Sequence, residues 1–372
     1  MKQNFTLLFA TLALISGGTG IVSTTWAQDP SFSQFYASRL YLNPAFAGLE
    51  EGLSFSAAMR QQWRNVPTGF QTYMAAVDIQ EPNINSAFGL LVNRDVEGAG
   101  ALTTTNVSFT YAYLIPIKDN VNIHIGLQPG WIEKSIDFSQ LVFSDQLDAV
   151  LGNVRPTLAN PVDRVGFFDM AAGIAVRFNN RMKTGETMRT SIGLSAHHLT
   201  EARESFQGLP TRLPTRYTFH AGMVIPVVRF GAKRETISWS PNIKYDLQDH
   251  IQIFSYGFYT LYDDVYMGVF YSNKHPLLDI SNTNSLTFTI GAQVPLGETK
   301  CAFAYSYDAN ISGFGSRGGG THELSLQFRI VGASMFGLNG SAGGGSGGGG
   351  LFGVGGKLRG GRGRWLNCFS FF

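Results

Sequence analysis

Residues 321–330 are Thr-His-Glu-Leu-Ser-Leu-Gln-Phe-Arg-Ile, and this stretch decides the fold. Every second residue from Leu324 to Ile330 is apolar, and the alternate residues from Glu323 to Arg329 are polar or charged. Because successive side chains of a strand point to opposite faces, the stretch predicts a strand with one apolar and one polar face. The pattern recurs from about residue 52 onward with almost no helical period. It predicts an all-β, antiparallel transmembrane β-barrel that contacts outer-membrane lipid, in which 321–330 is the last strand and pairs with the first.

The composition excludes several classes of protein. Only 15% of the 372 residues are charged, against roughly 25% in a typical soluble domain, and the chain contains 44 glycines. The mean hydropathy of +0.01 is far below that of a helical membrane protein. A net charge of +2 gives no reason to expect a nucleic-acid partner, and no motif indicates a cofactor.

The first 27 residues have the pattern of a secretory signal peptide. Lys2 supplies the positive charge, residues 5–15 form the apolar stretch, and Thr25-Trp26-Ala27 offers small residues at the cleavage positions. No cysteine lies nearby for a lipoprotein anchor, and no later apolar run is long enough for a spanning helix. The pattern predicts export and a location in the outer membrane.

Residues 28–51 are aromatic without alternating, and Pro44 and Gly48 interrupt them. We expect this lead-in segment to pack in or under a barrel formed by residues 52–330. Alternation and turn residues predict about fourteen strands, an even number as in bacterial barrels. They are placed at 52–63, 70–80, 86–95, 102–117, 121–134, 167–178, 188–198, 215–228, 235–246, 250–261, 264–272, 284–295, 300–311 and 321–330.

Connection lengths support the barrel independently. If the N-terminus is periplasmic, the connections after even-numbered strands are short, and the long ones (135–166, 199–214, 273–283 and 312–320) all follow odd-numbered strands. Short periplasmic turns and long external loops are the rule for such barrels. Aromatic residues near predicted strand ends indicate either an interfacial girdle or simply the aromatic preference of strands: Trp63, Trp131, Trp239, Tyr113, Tyr256 and Tyr259.

Residues 331–372 form a tail that the topology places in the periplasm. Gly340–Gly356 is glycine- and serine-rich, which predicts a flexible tether. The basic run Lys357–Trp365 that follows either binds an anionic partner such as a cell-wall polymer or is merely solvated.

Motifs at the two ends of the barrel are more specific than its architecture. The first group is Asp29-Pro-Ser-Phe-Ser-Gln-Phe-Tyr36, Leu42-Asn-Pro-Ala-Phe-Ala-Gly48 and Arg60-Gln-Gln-Trp63. The second is Phe303-Ala-Tyr-Ser-Tyr-Asp308, Ile311-Ser-Gly313 and Thr321-His-Glu-Leu-Ser325. Together they resemble the opening and the closing hairpin of the PorP/SprF family, over roughly residues 29–330.

The resemblance implies a non-enzymatic outer-membrane protein of the type IX secretion system of Bacteroidota-type bacteria, linked to gliding motility. It implies contacts with other type IX secretion or gliding components. It also implies export of a secreted, adhesin-like protein and its retention at the cell surface through its C-terminal domain. Family members tend to finish soon after the barrel with a short tail that contains cysteine, so the glycine tether is extra. The resemblance marks these residues as motif and barrel-closure positions: Asp29, Pro30, Phe32, Gln34, Tyr36, Asn43, Pro44, Gly48, Arg60, Trp63, Tyr305, Tyr307, Asp308, His322 and Glu323.

Nine charged residues of the predicted strands have the inward parity, as expected where a charge facing lipid is costly. Asp308 and Glu323 lie on neighbouring strands and are placed to share one arginine, with Arg60 also near the seam. They either brace the lumen or are ordinary solvated lumen charges. These nine residues are Arg60, Asp78, Asp169, Arg177, Lys244, Asp246, Asp308, Glu323 and Arg329.

No catalytic or metal-binding constellation emerges. His197 and His198 are adjacent on a predicted strand and should point to opposite faces, so they cannot chelate one metal. Residues 313–320 are glycine-rich but lack the lysine and the helix of a phosphate loop. Cys301 and Cys368 would form a disulfide if the tail returned to the rim, although Cys301 has the outward parity.

Two long loops form the predicted docking surface for the secreted partner. The first loop, 135–166, carries much apolar surface for a loop in water, so it either folds back into the lumen or binds protein. The second loop, 200–214, is charged and constrained by prolines. The residues are Phe138, Leu141, Phe143, Leu147 and Leu151 in the first loop and Arg203, Phe206 and Arg212 in the second. The alternative function is a porin or small-molecule channel, since about fourteen strands enclose a narrow pore if nothing fills it.

Overall fold

The computed structural model describes residues 29–334 apart from gaps at 67–68, 99–101, 139–140, 142–143, 149–151, 154–161, 184, 207–210, 231–234, 275–283, 297–298 and 312–317. Within this range the chain forms one closed antiparallel barrel of fourteen strands, as predicted. In chain order the strands are Leu53–Gln62, Phe70–Glu81, Ser86–Glu97, Leu102–Lys118, Val121–Ile136, Arg164–Arg181, Thr187–His197, Arg216–Phe230, Glu235–Gln248, Ile251–Tyr262, Val265–Lys274, Ser285–Leu296, Thr299–Asn310 and Thr321–Ile330.

Pairing between the first and last strands closes the barrel. Leu53 lies opposite Ile330 and Gln62 opposite Thr321, without a register shift. The other neighbours follow chain order around the barrel. Predicted and observed strand bounds differ by at most three residues, the largest difference being at Arg164–Arg181.

The two faces of the strands differ as the alternation predicted. In the last strand Leu324 is 55% exposed on the outer wall, whereas Glu323 is 1% exposed inside. Because the outer face is an apolar band and the inner face is polar, the barrel suits a lipid environment outside and a hydrated or filled interior.

The barrel has two unlike ends. The turn end carries the start of the first strand, the end of the last strand and the short connections after the even-numbered strands. The loop end carries the connections after the odd-numbered strands, which include residues 137–163 and 198–215. A small hairpin, Leu147–Asp148 paired with Gly152–Asn153, lies in the first of these loops.

Helix is scarce in the described chain. It consists of the short helix Arg39–Leu42 and three 3-10 turns, Pro44–Phe46, Pro82–Ile84 and Ser144–Gln146. None of the described helices is long and apolar enough to cross a membrane.

Residues 29–51, hereafter the plug, lie inside the barrel. Phe35, Tyr36 and Phe46 of the plug are almost fully buried against the inward-facing barrel residues Tyr259 and Phe270. The apolar core of the molecule is therefore the contact between the plug and the inner wall. Residues 1–27 and 335–372, the predicted signal peptide and most of the predicted tail, lie outside the described part of the chain.

The proposed aromatic girdle needs one correction. Trp131, Trp239, Tyr113 and Tyr256 are exposed on the outer wall, but Tyr259 is buried in the lumen. Tyr259 is three residues from Tyr256, so it has the opposite parity and joins the plug core instead. Trp63 lies just beyond the first strand at the loop end, where its backbone N–H donates to the carbonyl of Gly320 over 2.8 Å.

Candidate functional site

The plug runs through the whole lumen from the loop end to the turn end. The backbone N–H of Asp29 donates to Gln248 Oε1 over 3.1 Å at the loop end. Glu50 contacts Arg177 over 3.3 Å near the turn end, just before the first strand begins. Charged groups of the inner wall hold the plug at three levels: at the loop end, beside the seam and at the turn end.

The loop-end anchor is a cluster of charges around Asp29. His198 Nε2 lies 2.7 Å and Arg216 Nη1 3.0 Å from Asp29 Oδ2. His198 Nδ1 in turn contacts Asp169 Oδ2 over 2.8 Å. Arg216 also donates to the Tyr41 hydroxyl over 2.9 Å, and that hydroxyl donates to the carbonyl of Pro30 over 2.6 Å. The first two residues of the plug are thus fixed by barrel charges and by the plug itself.

The position of His198 differs from the sequence prediction. The strand ends at His197, and His198 has a φ of 60°. This left-handed conformation breaks the alternation, so both histidines are buried and face the lumen. Burial alone would lower the pKa of His198, but the carboxylates of Asp29 and Asp169 outweigh it and raise the pKa to about 9.

We expect the loop-end anchor to weaken in alkali. The folded pKa of His198, about 9, is above its ordinary value of 6.5. Its contribution is therefore fully present below pH 6.5 and disappears as the pH rises through about 9; it amounts to about 3 kcal/mol at most. The groups that face it are Asp29, Asp169, Arg216 and His197. Urea unfolding in detergent between pH 6 and pH 10 measures the free energy of unfolding at each pH. In His198→Gln this free energy should change less with pH than in the wild type. An unchanged profile in the variant would contradict this assignment.

The seam anchor joins the plug to the first and last strands. Arg60 Nη1 lies 3.1 Å from Asp308 Oδ2 and 3.0 Å from Glu323 Oε2, so the two carboxylates share this arginine. Glu323 also accepts hydrogen bonds from the backbone N–H groups of Ser33 (2.8 Å) and Gln34 (2.9 Å). The Ser33 hydroxyl donates to Asp308 over 2.6 Å. Barrel closure and plug binding therefore use the same side chains.

Asn43 holds the middle of the plug. Its Nδ2 donates to the carbonyls of Ile174 and Leu194, each over 3.2 Å, and its Oδ1 accepts from the N–H of Ala45 over 2.9 Å. The wall facing it is glycine: a Cβ at Gly173 would lie 1.9 Å from Asn43 Oδ1. A Cβ at Gly126 would lie 2.3 Å from the Pro44 carbonyl carbon. Because these glycines have no side chain, they leave the space that Asn43 and Pro44 of the plug occupy.

Gly173→Ala should therefore disturb the plug. We expect a loss of about 1–3 kcal/mol in the free energy of unfolding, because the new methyl overlaps Asn43. Urea unfolding in detergent measures it. The double variant Gly173→Ala with Asn43→Ala is the control, since removal of the amide removes the overlap and the two effects should not add. Strict additivity would contradict the fit described here.

The turn-end anchor fixes the last residues of the plug. The N–H of Gly48 donates to Asp78 Oδ2 over 2.9 Å, and Arg39 lies 3.7 Å from Asp78 Oδ1. Gly48 has a φ of 59°, and a Cβ there would lie 2.3 Å from that of Ala87, so the position requires glycine. Glu50 lies between Arg177 and Arg329, and both guanidinium groups hydrogen-bond to it.

The remaining motif residues divide between the lumen and the outer wall. Gln34 donates from its amide to Ser306 over 3.1 Å and accepts from Ser325 over 2.6 Å. Phe32 packs edge-on against Tyr41, with ring centroids 5.2 Å apart. The outer wall carries a separate aromatic group, in which the Tyr305 hydroxyl lies 2.7 Å from His322 Nδ1 and the His322 ring contacts that of Tyr307.

A vestibule of about 550 Å³ remains in the loop-end half of the barrel, beside residues 29–33 of the plug. Its walls include the loop-end anchor, Arg60 and Asp308, all described above. They also include Asp95 and Glu97 of the third strand, which the sequence analysis did not single out. Their parity, shared with the polar Asn93, was the available signal.

The two predicted docking loops contact each other. The rings of Phe138 and Phe206 are 6.4 Å apart, edge to face, and Lys134, near the end of the fifth strand, donates to Glu204 of the second loop. Arg212 pairs with Glu201 over 3.7 Å at the surface, and a β-bridge joins Arg203 to Arg212. Leu141 and Leu147 are exposed, at 38% and 55%. Phe143 and Leu151 lie outside the described residues.

Neither a disulfide nor a metal site is found among the described residues. Cys301 is partly buried, and its proposed disulfide partner Cys368 lies outside the described part of the chain. Among the described residues no three His, Cys, Asp or Glu side chains are grouped as a metal site would require.

The barrel also resembles solved outer-membrane proteins at low sequence identity. The toluene transporter TbuX of Ralstonia pickettii is 12% identical, with a TM-score of 0.44 over 79% of this chain and 93% of that one. A FadL homologue of Pseudomonas aeruginosa is 13% identical (TM-score 0.42, 79% and 94% covered), and the β domain of the Bordetella autotransporter BrkA is 10% identical (0.40, 75% and 98%). No curated protein sequence matches the chain.

A family comparison covers most of the described chain. The profile described as "Type IX secretion system membrane protein PorP/SprF" matches residues 24–328, which includes the plug and nearly the whole barrel. The motifs at both ends of the barrel, the fold and this match agree. The chain therefore belongs to the PorP/SprF family of type IX secretion system membrane proteins, with an outer-membrane type of β-barrel.

Proposed function

We propose that this protein is a non-enzymatic docking barrel, which helps to export a secreted, adhesin-like protein and holds its C-terminal domain at the cell surface. The observation that carries the proposal is the plug, which is bonded to the wall at three levels and fills the middle of the lumen. A filled barrel has no wide path for diffusion, which leaves binding at its ends as its function.

The loop end is the surface that we assign to the partner. It carries the long connections, and in barrels of this kind the long connections are external and the short turns periplasmic. Leu141 and Leu147 expose apolar side chains there, and exposed apolar groups in a water-facing loop favour a protein partner. Residues 331–334 follow the last strand at the turn end, where the buried Ser334 donates to the buried Glu81 over 2.6 Å. The tail that continues from this end would meet periplasmic components of the secretion system.

The experiment compares surface retention in two variants. Leu141→Ser with Leu147→Ser changes the loop end, and Ile84→Ser changes a residue that is 46% exposed at the turn end. We expect the first to release the partner into the medium and the second to leave it on the cells, as measured by protease-accessible surface protein. Equal retention in both variants, with equal amounts of folded barrel, would overturn the assignment of the loop end.

A further inference from the structure

The outer wall of the barrel carries a groove beside the seam. Ala57 of the first strand and Ala75 of the second lie directly opposite each other in the middle of their strands and form its floor. Leu326 of the last strand and Val92 of the third lie on either side of this pair. The groove has a volume of about 530 Å³. It exists because two methyl groups occupy outward positions where neighbouring positions, such as Tyr73, carry large side chains.

A charged residue lines the loop-end edge of this groove. Arg94 of the third strand lies opposite Tyr73, and its side chain is exposed on the outer wall. It is three residues from the loop end of its strand, which ends at Glu97. Arg94 forms no ion pair with any residue that the structure describes. An arginine on the lipid face is tolerated near the interface between membrane and water, where it gains from an anionic partner.

Polar side chains continue this edge across the seam. His322 of the last strand lies opposite Gln61 of the first, and Gln61 lies opposite Gln71 of the second. Each of the three has the outward parity and is next to the loop-end residue of its strand. With Arg94 they place hydrogen-bonding groups on four neighbouring strands, on the loop-end side of the groove. Amide and guanidinium N–H groups are suitable donors for the oxygens of a phosphate.

We propose that the groove binds an anionic phospholipid of the leaflet at the loop end, with its phosphate at Arg94, Gln61 and Gln71 and one acyl chain over Ala57 and Ala75. The outer wall of such a barrel faces the membrane, so a membrane component covers the groove. An anionic lipid has the same order of chemistry as the wall, with a charged group at the interface and an apolar chain toward the middle of the bilayer. This site is separate from the docking loops proposed above.

The test uses the full chain in phosphatidylcholine nanodiscs that contain a trace of a lipid with a photoreactive acyl chain. That lipid is either phosphatidylglycerol, which is anionic, or phosphatidylcholine, which has no net charge. Mass spectrometry should find about fivefold more label from the anionic lipid on residues 57–59, 73–75 and 324–326, as one arginine near an anionic group provides. Arg94→Gln should bring this ratio to about one. Arg164→Gln, which removes another exposed arginine of the outer wall, is the matched control and should not change it.

A second variant tests the position of the acyl chain without a change of charge. Ala75→Leu fills the floor of the groove from the lipid side, so it should remove most of the label that either lipid leaves there. Equal labelling of the wild-type groove by the two lipids would overturn the proposal, as would a ratio that Arg94→Gln leaves unchanged. Labelling confined to other parts of the outer wall would overturn it as well.

Discussion

Glu323→Ala should destabilise the barrel by about 3–5 kcal/mol, because it leaves buried partners of a charged group unpaired. The carboxylate of Glu323 binds Arg60 and two backbone N–H groups of the plug, and it is 1% exposed. Its removal therefore weakens both the pairing of the first and last strands and the binding of the plug to the wall. Urea unfolding in detergent measures the loss in the free energy of unfolding. The temperature at which the barrel changes its mobility on a gel should also fall.

Glu133→Ala is the matched control for that variant. Glu133 also pairs with an arginine of a neighbouring strand, Arg164, over 3.3 Å, but both side chains are exposed on the outer wall. Exposed ion pairs contribute about 0–1 kcal/mol, so this variant should unfold almost as the wild type does. Similar losses in the two variants would show that the seam cluster is not the closure element described here.

Deletion of the plug should open a path for ions through the lumen of the barrel. A barrel of fourteen strands encloses more space than its own side chains fill, and the wild-type plug occupies the middle of it. We expect replacement of residues 32–47 by a short glycine–serine link to raise the conductance in planar bilayers by at least about tenfold. The wild type should show no large steady steps.

Two controls accompany the conductance measurement. Deletion of residues 341–356 removes the same length from the glycine-rich tail and should leave the conductance unchanged. Gly173→Leu, which keeps the whole chain, should displace the plug at Asn43 and produce intermittent openings. Large steady steps from the wild-type barrel would instead support the porin alternative.

Most of the barrel could be predicted from the sequence, because lipid outside and polar groups inside impose a period of two on every strand. The same parity placed Arg60, Asp308 and Glu323 inside, and the proximity of the last two strands suggested their shared arginine. Connection lengths identified the two unlike ends. These features depend only on side-chain alternation and connection lengths, and both can be read from one sequence.

Contacts of the plug could not be predicted in the same way. Residues 29–51 have no period, so nothing in the sequence pairs Ser33 with Glu323 or Asn43 with the carbonyl of Leu194. His198 was misplaced because a left-handed residue at a strand end reverses the face of its side chain. Tyr259 lies near a strand end as girdle residues do, but its parity is inward and it packs in the lumen. The glycines of the inner wall gave no signal, since their role depends on a plug that packs from another part of the chain.

The central claim is that this plugged barrel holds a secreted protein at the cell surface. Purification of the tagged protein from its native outer membrane in mild detergent, followed by mass spectrometry, tests it most directly. The account predicts recovery of a large secreted protein held through its C-terminal domain, and loss of that protein when Leu141 and Leu147 are replaced by serine. Recovery of the barrel alone, even after crosslinking, would contradict it.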